Sequence, residues 1–420
     1  MKKLLSAFLI LAALQSSLAQ TLSPTIVKSN SINYERLAQI DSLLKKYEDQ
    51  NWLVGDVVII VKDNQVAYHK GHGYSNLSKK KPMQADAIFR ITSQTKAITS
   101  LAVMQLFEQG KLGLDQNISD FIPEFKNPKV IKTYNASDSS FTTTAAKREL
   151  TFRDLLTHTS GIDYPAIGTD TMQAIYAKNH IPSGLGYINE SLLAKMKVLG
   201  TMPLIHNPGE RFTYGLNTDL LGCLVEIISG ESLEAYCTKH IFEPLGMKDT
   251  YFNVPASKSN RVATVYTEDD NHKIIEWSPT FRNIDPNYPL IPKTYFSGGA
   301  GLSSTAFDYS IFLQMLLNGG KYNGKQILGR RTVELMLSPQ LDNNLFGDDN
   351  FSLGFGLTSK KSANLKMTSE GSFAWGGYFG TTYWADPKEK MVCLIMTQQN
   401  PNSHFDYGDK IVNIIYGSLK

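Results

Sequence analysis

The chain has 420 residues, of which 42% are hydrophobic and 19% charged, with 42 Lys and Arg against 39 Asp and Glu. That length and apolar content suffice for a large core, divided into two or three domains or gathered into one elaborated domain. A formal charge of +3 argues against the basic face that nucleic-acid binding requires.

In chain order, the first segment pairs Lys2 and Lys3 with an apolar run, Leu4 to Leu14, and ends in the small residues Ser17 and Ala19. This is the pattern of a secretory signal peptide, residues 1–19, cut after Ala19. The run is too short to span a membrane, and no later apolar segment is long enough to do so. Loss of Lys2 and Lys3 leaves a charge of about +1. The expectation is an exported chain, periplasmic or secreted, covering residues 20–420, with no integral membrane segment after cleavage. Next, Tyr34–Gln50 reads as an amphipathic helix, and Val57–Val61 and Gln65–Lys70 read as strands joined at Asp63-Asn64. A strand-like run, Ala87–Ile91, gives way to an apolar-periodic stretch at Ala97–Phe107. Helical runs follow at Phe152–Leu156, Leu192–Val198, Leu220–Ser229 and Ser232–His240. Strands return at Leu353–Leu357, Gly380–Trp384 and Met391–Thr397, and a helix near Lys410–Tyr416 closes the chain. Strands at both ends with helices between predict an α+β fold. One antiparallel sheet is built from both termini, with an α/β part at about residues 30–92 and 300–420 and a mostly helical inserted part at about 93–299.

Cys223, Cys237 and Cys393 form no metal or redox spacing and read as small buried hydrophobes rather than as a Cys223–Cys237 disulfide. His-Glu-x-x-His is absent, as is a Gly-x-Ser-x-Gly elbow, so the common metalloprotease and α/β-hydrolase readings lose support. No metal site and no cofactor is expected.

Ser-x-x-Lys occurs three times, at Ser42–Lys45, Ser78–Lys81 and Ser93–Lys96. The first lies on the amphipathic helix and the second in the basic loop Lys79–Lys81, both solvated surface. Ser93-Gln94-Thr95-Lys96 has the strand–turn–helix setting a nucleophile needs, and a serine and a lysine three apart share one helical face. Free lysine, with a pKa of about 10.4, is almost wholly protonated at pH 7. Desolvation or nearby positive charge would lower that value and make Lys96 a base for the Ser93 hydroxyl.

Five further strings appear in a recognisable order: Thr151-Phe-Arg-Asp-Leu-Leu-Thr-His-Thr-Ser-Gly161, Pro208-Gly-Glu-Arg-Phe-Thr-Tyr214, Leu220-Leu-Gly222, Pro244-Leu-Gly-Met-Lys-Asp-Thr250 and Ser297-Gly-Gly-Ala-Gly-Leu-Ser-Ser304. With Ser93–Lys96 they resemble the serine β-lactamase-like superfamily, in its branch of class C β-lactamases, DD-peptidases, D-aminopeptidases and family VIII carboxylesterases. The resemblance runs from about Leu53 to Gln398 and implies a β-lactamase/DD-peptidase-like fold. It also implies that Tyr214, which opens the Tyr-x-Asn motif, is the proton-shuttling partner of Ser93 and Lys96. In this chain the asparagine comes one place late, at Asn217, and Leu216 holds the slot that normally bonds a substrate amide. The third motif is Trp375-Gly376-Gly377 in place of Lys-Thr-Gly. There, tryptophan offers an apolar wall where a lysine would bind a carboxylate, and the amides of Ser93 and Tyr378 would form the oxyanion hole. The resemblance assigns His158 a structural role. It implies a serine hydrolase that cleaves neutral carboxylic esters through an acyl-serine, exported if the leader is cut as expected. The alternatives are a β-lactamase, DD-peptidase or D-amino-acid amidase acting on cell-wall-type amides, and a catalytically silent binding domain on the same fold.

Overall fold

The structure, a computed structural model, describes residues 21–341 and 345–420. The expected leader lies outside these residues. Its centre is an eight-stranded antiparallel sheet. The strands are β1 (Gly55–Lys62), β2 (Gln65–Asn76), β3 (Lys81–Pro82), β4 (Asn350–Phe351), β5 (Gly356–Leu357), β6 (Phe373–Gly376), β7 (Thr382–Asp386) and β8 (Met391–Thr397). Their order is β4-β5-β6-β7-β8-β1-β2-β3, so the chain's two ends meet where β8 pairs with β1, Val57 opposite Met396 and Ile59 opposite Leu394. The β1–β2 turn, Asp63-Asn64, has positive φ at both residues (52° and 62°), the backbone twist that a two-residue hairpin favours.

Both faces of β1 are covered, which is why it reads as an unbroken apolar run. Val57, Ile59 and Val61 face the main core with α2 (Thr95–Glu108) and α4 (Ala306–Leu317), while Val58 and Ile60 face α1 (Gln39–Asp49) and α5 (Tyr407–Gly417). α3 (Asn217–Ser229) packs on α2 in the helical part.

Several elements depart from the sequence expectation. The first helix is divided at Ala38 into Tyr34–Leu37 and α1. Of the expected strand Leu353–Leu357 only Gly356–Leu357, which is β5, is extended; the residues before it bend between β4 and β5, because Gly354 takes φ +107° where a Cβ would stand 2.4 Å from the Ser100 hydroxyl. α4 was not foreseen: almost every residue in it is buried, so it has no polar face to mark a helical period. A hairpin, Lys129–Asn135 with Ser140–Ala145, occupies a segment without sequence pattern. The three cysteines are buried and unbridged. No helix among the described residues is long and apolar enough to cross a membrane.

A charged cluster ties α1 to the sheet. His72 on β2 bonds Asp56 of β1 through Nδ1 at 2.9 Å and Asp41 of α1 through Nε2 at 3.0 Å, with Tyr68 donating to Asp41 at 2.5 Å. Burial lowers the His72 pKa, but the two carboxylates outweigh it and the net shift is upward. A raised histidine pKa stabilises the fold fully below the unfolded value of about 6.5, and that contribution is lost as pH rises through the folded value. His72→Gln leaves Asp56 buried without a cation, so it is expected to cost about 3 kcal/mol at pH 5.5. The loss should be smaller at pH 9, as read by urea unfolding. An equal loss at both pH values would mean the imidazole is neutral throughout.

Candidate active site

The site begins with a strained turn. Phe89–Arg90 pairs with Ser303–Ser304 and leads into Thr92, a β-branched residue held at φ +43°, a conformation that persists only when its surroundings enforce it. The 3₁₀ turn Thr92–Gln94 then runs into α2, which sets Ser93 on the wall of a cavity of about 320 Å³ and Lys96 beneath it.

Lys96 is 3% exposed and its Nζ has three acceptors: Ser93 Oγ at 3.2 Å, Tyr164 OH at 3.1 Å and the Gly299 carbonyl at 2.8 Å. Three acceptors match the three protons of an ammonium. The amine also lies over the Tyr214 ring, 4.6 Å from its centre, and 5.4 Å from that of Tyr164. Burial pulls the Lys96 pKa down, but the phenolic oxygens of Tyr164 and Tyr214 more than offset it, and the net direction is up. The sequence expectation of a lowered lysine pKa is therefore corrected: burial alone would lower it, but the aromatic hydroxyls around the amine favour its charged form. Behind Gly299 lies Asp219, fully buried, its carboxyl pushed up to about 6 by burial, with Ser297 and the Lys96 charge acting in the opposite direction. A Cβ on Gly299 would stand 2.4 Å from Asp219 Oδ2, so only glycine lets this loop carry its carbonyl to Lys96.

Tyr214 and Tyr164 are held together by their loops. Thr213 donates to the His158 carbonyl at 2.7 Å, and Asp163 accepts the amides of Tyr164 and Thr169 at 2.8 and 2.9 Å. His158 is 2% exposed, and burial pushes its pKa well down, with Lys96 adding to the shift. Its Nδ1 meets Asn217 Nδ2 at 2.9 Å, and its ring lies 4.9 Å from that of Tyr214. His158 thus packs against Tyr214 and bonds Asn217 rather than Ser93.

The cavity brings together Ser93, Tyr214 and Tyr378 on its wall, with Lys96 behind. Other expected residues lie elsewhere. Leu216 and Asn217 are fully buried; Asn217 bridges Ser160 and His158, because Gly215 turns the chain into α3 and carries both side chains into the core. Trp375 stands behind Tyr214, donating to its hydroxyl at 3.4 Å, and does not line the cavity. Gly376 ends β6, and Gly377 crosses the nucleophile turn closely enough that a Cβ would lie 2.5 Å from the Ile91 carbonyl. The Tyr378 amide that follows donates to Thr92 Oγ1 at 2.5 Å. Tyr164 was missed by sequence reasoning; its one cue was its place three residues after Gly161. The remaining wall is mainly apolar, including Ala166, Ile167, Leu185 and Ile284, with Arg282 at its margin.

This fold and site define a class. Residues 40–415 match the Beta-lactamase family, and the chain belongs to it; its members are serine hydrolases. Protein Rv1367c of Mycobacterium tuberculosis (strain ATCC 25618 / H37Rv) is 31% identical over 85% of this chain and 89% of its own length. Esterase EstB of Burkholderia gladioli is 25% identical over 90% of this chain and 94% of its own. Among solved structures, EstCE1, described as a hydrolase with promiscuous acyltransferase activity, is similar with a TM-score of 0.79 and 26% identity, covering 91% of this chain and 99% of that one.

Proposed function

We propose that the protein is a carboxylesterase that works through an acyl-Ser93 intermediate. The observation that carries this reading is the Ser93–Lys96–tyrosine constellation opening onto a small, largely apolar cavity. The similarity to the esterase EstB supports it, as does that to EstCE1, a hydrolase with acyltransferase activity. Ser93 Oγ attacks the ester carbonyl, forming a C–O bond as the carbonyl π pair moves to oxygen. The Lys96–Tyr214 pair reacts in the form that has released one proton to water, so that it takes up the Ser93 proton through the Tyr214 oxygen while the Lys96 amine steadies the charge. As the intermediate collapses, the bond to the leaving alcohol breaks, and the alkoxide takes a proton from that pair. Water then attacks the acyl-serine by the reverse route, giving the acid and free Ser93; an alcohol in place of water would give acyl transfer.

The two tyrosines have different tasks. Burial raises the Tyr164 pKa, with Lys96 only partly opposing it, so Tyr164 stays a neutral phenol that holds the ammonium. Tyr214, half-buried on the cavity wall, is the phenol that passes the proton to and from substrate. The oxyanion is received by the amides of Ser93 and Tyr378, the second exchanging the Thr92 hydroxyl for substrate oxygen. Export of the chain belongs to the same reading.

The experiment is turnover of p-nitrophenyl butyrate beside nitrocefin. Ester cleavage with negligible lactam cleavage is expected, since Leu216 and Asn217 lie in the core and neither is placed to bond the amide side chain of a lactam. Dominant nitrocefin cleavage would establish the β-lactamase alternative instead.

A further inference from the structure

One side chain at the cavity has no part in the chemistry above. Arg282 is the single charged residue among the described residues that line the cavity, whose wall includes no carboxylate. Its Nη1 donates to the Tyr378 hydroxyl at 2.7 Å, and its guanidinium lies 5.3 Å from the centre of the Phe281 ring. The nearby acid Asp285 accepts the Asn287 amide at 2.8 Å. A guanidinium has five N–H donors, so the bond to Tyr378 leaves the fork available for an anion.

The backbone shows that this placement is enforced. Arg282 and Asn283 sit in succession at φ 54° and 56°, a costly conformation for two residues that are not glycine. The loop is anchored on both sides of the pair: Phe281 packs edge-on against buried Trp277, and the Trp277 indole donates to the Ile284 carbonyl at 3.0 Å. Trp277, Ile284 and Phe379 form a small core on which Phe281 and Tyr378 rest. The exposed arginine is thus carried on a packed base, and Tyr378 links it to the nucleophile turn, with its amide at Thr92 and its hydroxyl at Arg282.

We propose that Arg282 is a specificity-determining residue that binds a free carboxylate on the substrate, so that the esters turned over at Ser93 are half-esters of short dicarboxylic acids. This rests on the carboxylesterase reading and names its substrate class. The acyl chain lies against the apolar wall with its carbonyl at Ser93, and its terminal carboxylate pairs with the guanidinium fork beyond Tyr378. Trp375, at the position where a lysine was considered, lies behind Tyr214 and contributes no charge; the cation comes from another segment.

The test compares mono-p-nitrophenyl glutarate with p-nitrophenyl butyrate. The ratio of their kcat/KM values, anionic over neutral, should fall tenfold or more in Arg282→Gln, through KM, and be partly retained in Arg282→Lys. Raising the salt from 0.05 to 0.5 M should weaken wild-type turnover of the glutarate ester and have little such effect in Arg282→Gln. A ratio that stays within twofold of wild type in Arg282→Gln overturns the proposal. Failure of the esterase reading is separate: neither ester would then turn over. In that case calorimetric titration of monomethyl glutarate into Ser93→Ala and into Ser93→Ala/Arg282→Gln decides. Binding lost with Arg282 supports the carboxylate site, and equal or absent binding in both overturns it.

Discussion

Ser93→Ala is expected to lower ester turnover by about 10⁵-fold or more and to abolish covalent labelling of the intact protein by a fluorophosphonate. The cavity wall holds two further aliphatic hydroxyls, Thr92 and Ser183. Neither has a base: Thr92 Oγ1 accepts the Tyr378 amide, and Ser183 bonds the backbone of Leu185. Only Ser93 adjoins the Lys96–Tyr214 pair, with the Lys96 amine 3.2 Å away. The fold should survive, because Ser93 is half-buried and Lys96 keeps Tyr164 and Gly299 as partners. A Tm within about 4 °C of wild type would confirm that. Intact-mass measurement after labelling reads the result directly, and a Ser93→Ala protein that still gains the probe would move the nucleophile elsewhere.

Lys96→Met is expected to reduce kcat/KM by about 10³- to 10⁴-fold, Tyr214→Phe by about 10²- to 10³-fold, and Tyr164→Phe by about tenfold. The order follows from the geometry. Lys96 contacts the nucleophile directly, Tyr214 faces the cavity, and Tyr164 is one of three acceptors that hold the ammonium. Release of p-nitrophenol in the pre-steady state would separate acylation from deacylation, and a larger loss in Tyr164→Phe than in Tyr214→Phe would exchange their roles. The pH profile adds a second reading. Asp219, with its carboxyl raised to about 6, is the buried counter-charge to Lys96, so activity should climb as pH rises through about 6, and this limb should vanish in Asp219→Asn. Stability runs the other way. Since the folded value lies above the ordinary value of 3.8, folding favours the protonated form, and the Asp219 contribution falls as pH rises between the two values, then levels off.

Much of this site was legible because its chemistry is local. Ser93 and Lys96 lie three apart on one helix, and a strand-to-helix turn before them is visible in the apolar pattern. Tyr214 was found by its neighbouring string. The hairpin β1–β2 declared itself through Asp63-Asn64, and β8 through its apolar run. Residues whose role depends on distant partners were less legible. Tyr164 follows Gly161 in sequence, but it meets Lys96 across 68 positions. Leu216 and Asn217 adjoin Tyr214, yet the start of α3 rotates them into the core. Trp375 was read as a cavity wall because its motif position suggested it; in three dimensions Tyr214 stands between it and the cavity.

The sequence by itself determined the family and the α+β architecture and singled out Ser93, Lys96 and Tyr214 as the candidate catalytic residues, since helix and strand periods and short motifs are written in adjacent residues. Only the tertiary structure decided the surroundings that push the Lys96 pKa upward, the presence of Tyr164, the burial of Asp219 and the placement of Arg282 at the cavity. These depend on which groups are brought within about 3 to 5 Å and deprived of water, and that is set by loops from residues 160–169, 213–216, 281–284 and 297–299 closing around α2.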